Sequence, residues 1–210
     1  MTRVRAIAHW ATAAMLAVAA AALANLALAF APLADIWAAH RPGAEPSALA
    51  GTVRIVIALA LAASLTAAAV AAWGWHARAR ANLVAFGVSD RRVITGSVGR
   101  VPRLRRSMVV LTWVFRGLVL AGAVATVLGV LSGLDNAGEI GHVRHLAAAG
   151  EPVDRALVAG LFGRQLVLRL PGAALLVGAA GAAVLLIART TSAQYGRIAR
   201  LRTAGGTIRE

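Results

Sequence analysis

The residues best suited to chemistry in this chain are its five histidines, and four of them pair up by position. His9 opens the first long apolar stretch and His76 closes the second. If the two stretches cross a membrane in opposite directions, both imidazoles sit at one depth. Two imidazoles on adjacent antiparallel helices can hold a haem b iron between them. The plainer reading is an interfacial histidine at each helix end, because the second, third and fourth apolar stretches carry no histidine within their cores. His142 and His145 are three residues apart, a spacing that suits one helix face, while His40 lies in another polar segment near Asp35 and Glu45. Imidazole and carboxylate are ordinary ligands for zinc or copper. Drawn from segments so far apart in sequence, these three are more simply read as solvated loop histidines.

Two further polar residues fall inside apolar stretches, Asn25 in the first and Arg116 in the third. Arg116 lies about 12 Å from the basic end of its stretch at 1.5 Å per residue. A charge at that depth either faces inward or snorkels to the interface. Facing inward, it would line the polar cavity of a small transporter. Asn25 lies nearer the opposite end of its own span and is a poor partner for it. Other chemistries are closed off by composition. The chain has no cysteine, which removes thiolate nucleophiles, disulfides and iron–sulfur ligation. No P-loop, GxSxG, HExxH or paired-carboxylate arrangement occurs.

The elements that carry these residues follow from hydropathy. Of 210 residues, 60% are hydrophobic and 14% charged, and the apolar ones come in blocks of about twenty or more, enough to cross roughly 30 Å of hydrocarbon. The sequence predicts an all-α integral membrane four-helix bundle, one transmembrane domain over 1–210 with spans at 6–33, 53–75, 108–134 and 170–188. The first run is longer than the apolar core of a signal peptide and is read as a retained span. Pro152 and Asp154 suit a helix start. The stretch 153–168 is expected to lie at the outer interface, with a bend near Pro171 before the last span.

Charge then sets direction. The segment 76–107 holds eight arginines, Arg78, Arg80, Arg91, Arg92, Arg100, Arg103, Arg105 and Arg106, and reads as a cytoplasmic joint between two hairpins. The start, joint and tail together hold fifteen arginines against Asp90 and Glu210, whereas the intervening loops hold four arginines against six acids. Basic loops stay in the cytoplasm, so both termini are expected inside a bacterial inner membrane. Within the joint and its flanks, Arg78, Arg80, Arg103, Arg105 and Arg106 are candidates for contact with anionic lipid or an acidic partner. Nucleic acid is not expected, because Phe86 is the only aromatic among the arginines beyond His76 and no binding motif occurs.

The third span also carries Gly117, Ala121, Ala125, Gly129 and Gly133 at four-residue steps. Such a small-residue ladder lets another helix approach closely. Its drift of about 40° per step favours a right-handed crossing.

Two local resemblances add to this reading. The stretch Trp75-His76-Ala77-Arg78-Ala79-Arg80-Ala81-Asn82-Leu83-Val84-Ala85 resembles a Trp-x-x-Arg-Ala-Arg-x-Asn motif from a family of uncharacterised bacterial multispan membrane proteins. That resemblance implies a multispan fold and no particular activity. In physical terms Trp75 anchors the span at the interface, the arginines enter the headgroup layer, and Asn82 is expected to end or cap the helix. The opening Arg5-x-x-x-His9-Trp10 is similar to the first helix of bacterial b-type cytochrome subunits, which would imply haem at His9 and His76. With no convergent polar site in the spans, the expected function is non-enzymatic and without a cofactor. It is that of an accessory or assembly subunit of a membrane complex, or a small homo-oligomer. A haem-b electron-transfer subunit and a small transporter built around Arg116 are the alternatives.

Overall fold

The computed structural model describes residues 7–39, 48–85, 102–149 and 154–203. Among them every regular element is a helix: α1 Ala8–Phe30, α2 Pro32–Ala39, α3 Ala48–Ala85, α4 Pro102–Ala148 and α5 Arg155–Thr203. Four segments are long and apolar enough to cross a membrane, Ala8–Trp37, Thr52–Asn82, Ser107–Leu134 and Ala156–Gly196. Leu23, Leu59, Leu120 and Val167, one in each, are 64 to 69% exposed. In water such a surface would be a liability; against lipid it is the expected exterior. The chain is therefore an all-α polytopic membrane protein built as a four-helix bundle.

Local chemistry explains the helix ends. Pro32 has no N–H to donate, so α1 closes with Ala31 donating to the Leu28 carbonyl (3.3 Å), and α2 restarts at the proline itself. Asp154 caps α5: its Oδ1 accepts from the Ala156 N–H at 2.8 Å, satisfying one of the orphan donors of the first turn.

Two helices run further than their sequences imply. The expected interfacial helix over 153–168 and the fourth span form one 49-residue helix, α5, with Pro171 inside it. The reason is packing on both sides of the proline, which itself is exposed. Leu168 and Gly172 both lie against α4, so tertiary contacts hold the helix across the missing hydrogen bond, as neighbouring helices do in membranes. Likewise Asn82 neither ends nor caps α3, which continues to Ala85. Asn82 is fully buried within it.

The chain divides into two compact units, each of which takes part of every long helix. Unit 1 comprises Met1–Ala21, Ala63–Arg116 and Ala179–Glu210. Its core is Ala11, Ala14, Ala71 and Ile187, with Trp10, Met15 and Trp75 packed alongside. Alanines at these positions let α1, α3 and α5 approach closely while the large rings fill the edges.

Unit 2 comprises Ala22–Ala62 and Gly117–Gly178, with a core of Ile140, Val143, Leu161 and Phe162 flanked by Ile36 and Val158. Its α4–α5 seam is antiparallel and made by glycine. A Cβ on Gly172 would stand 2.9 Å from the Thr126 nitrogen, and one on Gly129 would meet the Leu168 carbonyl, 3.2 Å from its carbon. Each glycine thus admits the other helix's backbone. Gly122 faces Leu176 and Gly178 faces Leu118 in the same register.

Of the five-residue ladder, Gly129 lies in this seam, while Gly117 and Gly133 have no described atom within 4 Å of a Cβ position and Ala121 is exposed. Ala125 is half-buried. The residues of α4 that make the contacts are Leu118, Gly122, Thr126 and Gly129, with Asn136, Ile140 and Val143 further along, so the contacting face only partly coincides with the four-step ladder.

Candidate functional site

In unit 1, the Trp-x-x-Arg-Ala-Arg-x-Asn segment is a packing face. Trp75, Ala79 and Asn82 are spaced by four and three, one side of α3, and that side turns inward. The Trp75 Nε1–H donates to Thr191 Oγ1 at 3.2 Å, and Gln194 Nε2 donates to the Ala79 carbonyl at 3.4 Å, joining α3 to α5. Thr190 and Gln194 are themselves buried. The Gln194 Oε1 has no hydrogen-bond partner among the described residues. Towards α1, a Cβ on Gly74 would fall on the Trp10 ring, with Cδ2 2.8 Å away, and the Arg78 guanidinium covers the same ring at 4.6 Å. Arg80 points outward and is exposed.

This geometry bears directly on His9 and His76. His9 is exposed, with its ring 5.8 Å from Trp10, and His76 is half-buried. The space between α1 and α3 at this level is filled by the Trp10 indole lodged on Gly74, so the groups the helices bring together are Trp10, Gly74 and Arg78.

In unit 2, Asp35 on α2 forms an ion pair with Arg54 on α3. The carboxylate side chain is 7% exposed, and the guanidinium also lies 6.0 Å from the Phe162 ring of α5. A charge this buried is costly unless paired. Here each sign neutralises the other, and the pair ties α2, α3 and α5 together. Close by in the contact network, Asn136 on α4 donates Nδ2–H to the Leu161 carbonyl at 2.9 Å. The Asn136 Oδ1 and the Asn25 Nδ2, both in unit 2, lack hydrogen-bond partners among the described residues.

The remaining expected residues are dispersed. Arg116 is exposed, its guanidinium 5.6 Å from the Trp113 ring on the same helix. His142 and His145 are exposed on α4, and His40 lies outside the described residues. Among the described residues, no three His, Cys, Asp or Glu gather as they would around a metal ion. The side chains of Arg103, Arg105 and Arg106 lie outside the described residues, although their backbone forms the first turns of α4.

The Asp35–Arg54 pair and the Asn136, Gln194 and Thr191 contacts escape a reading by sequence. A usable signal existed for Asn82, since Trp75, Ala79 and Asn82 already show the spacing of a buried helical face. No family model, curated protein or solved structure matches the chain.

Proposed function

We propose that this membrane protein acts through packing, as an accessory or assembly subunit of a larger membrane complex or as a small homo-oligomer. We place it in a bacterial inner membrane with the basic helix ends in the cytoplasm. What supports the reading is the use to which the polar side chains of the spans are put. Trp75, Gln194, Asn136, Asp35 and Arg54 each make a contact from one helix to another instead of converging on an open polar site. Polar side chains used this way hold helices together in lipid.

The test is purification from native membranes in mild detergent with mass measurement of the intact particle. A stoichiometric partner subunit or a defined homo-oligomer is expected. A monodisperse monomer with no partner overturns the proposal.

A further inference from the structure

We infer that Trp113 and Arg116 on α4 form a binding site for the headgroup of an anionic phospholipid. Arg116 lies inside the candidate span Ser107–Leu134 and is exposed. Its Cα stands about 13 Å beyond Ser107 at 1.5 Å per residue. The guanidinium is not extended sideways. It lies 5.6 Å from the ring of Trp113, one turn nearer the start of the helix. Long side chains on a helix lean in that direction, and it is also the way to the interface for a snorkelling arginine whose helix begins Pro102-Arg103-Leu104-Arg105-Arg106.

A cation at this depth needs a counter-anion, and the described residues of its own unit do not provide one. The described residues of unit 1 contain no aspartate or glutamate. Over its full segments the unit has sixteen arginines against Asp90 and Glu210. An acidic segment of another protein would have to carry a carboxylate into the hydrocarbon edge, which is costly. The bilayer already holds phosphates at its boundary, so lipid is the source that fits. Trp113, 65% exposed, supplies the second half of the site. Its ring lies against acyl chain while its N–H can donate to the headgroup, as indoles do at this boundary. A zwitterionic headgroup brings its own cation to the phosphate. An anionic headgroup leaves that charge for Arg116, and selectivity follows. The site stands whether or not the protein has a subunit partner.

The full chain is reconstituted in bilayers containing dibrominated phosphatidylglycerol or dibrominated phosphatidylcholine at matched content, and tryptophan quenching is read. Subtracting the W113F signal isolates Trp113 from the other four tryptophans. The expected result is an about fivefold preference for the anionic lipid at Trp113, the factor one arginine contributes near an anionic surface. In R116Q it falls to near one, measured against R116Q/W113F. In R116K, which keeps the charge and checks that the lipid-facing surface is intact, the preference remains. Equal quenching by both lipids in the parent protein, or a preference that survives R116Q or disappears in R116K, overturns the inference.

Discussion

The two units of this molecule are built from the same helices and treat charge in opposite ways. The segments of unit 1 carry 16 of the 22 arginines and two of the eight acids, so they hold the whole formal charge of +14. Unit 2 carries six of each and is neutral. Within unit 2 a pair of opposite charges is buried and used as a tie, Asp35 to Arg54. Within unit 1 the helices are joined by neutral donors, Trp75 to Thr191 and Gln194 to Ala79, while Arg80, Arg116 and Arg189 stand exposed. The contrast separates two uses of polarity in a membrane protein. Buried and matched, it fixes helices to one another; exposed and unmatched, it addresses the surroundings.

If that division is right, the largest stability effect belongs to unit 2. Asp35→Ala removes the carboxylate of a buried ion pair and should cost about 3 kcal/mol, the lower end for breaking such a pair because the Arg54 side chain keeps 24% exposure. Denaturant titration in mixed micelles measures it. The double change Asp35→Leu with Arg54→Met should recover much of the loss, and no recovery would mean that the two side chains act separately.

Next comes the glycine seam. Gly172→Leu must push α5 off the Thr126 backbone and should cost about 1–3 kcal/mol in the same titration. Gly133→Ala, on the same helix as the seam but with open space at its Cβ, should instead gain roughly 0.5–1 kcal/mol from helix propensity.

Smaller still are the neutral ties. Thr191→Val removes the acceptor of Trp75 in unit 1, and Asn136→Leu removes the donor to Leu161 in unit 2. Each should lower stability by about 0.6 kcal/mol, with 1.7 as a rough upper limit. Arg80→Gln, on the exposed face, should fall within about 0.5 kcal/mol of the parent. A large loss there would erase the distinction between the units.

That the chain forms four long apolar helices was legible because length and hydropathy alone decide it. The last span was less so. Pro171 reads as a break when only the backbone hydrogen bond is considered, and contacts from Gly129 and Thr126 outweigh it. The ladder from Gly117 to Gly133 shows a second limit: in a helix rich in small residues, spacing does not reveal which face meets a neighbour, and the contacts fall on Leu118, Gly122, Thr126 and Gly129. The ion pair was hidden differently. Asp35 and Arg54 are each visible as charges flanking apolar runs, but only the restart of the chain at Pro32 brings α2 within reach of α3.

The proposed orientation, with the basic unit towards the cytoplasm, has a direct test because the chain has no native cysteine. Gly141 on α4 and Gly196 on α5 are both exposed with open space at the Cβ, and they belong to unit 2 and unit 1 respectively. In intact cells a membrane-impermeant maleimide should label Gly141→Cys, whereas Gly196→Cys should react only after permeabilisation. Labelling of Gly196→Cys from outside, with Gly141→Cys protected, would contradict the account.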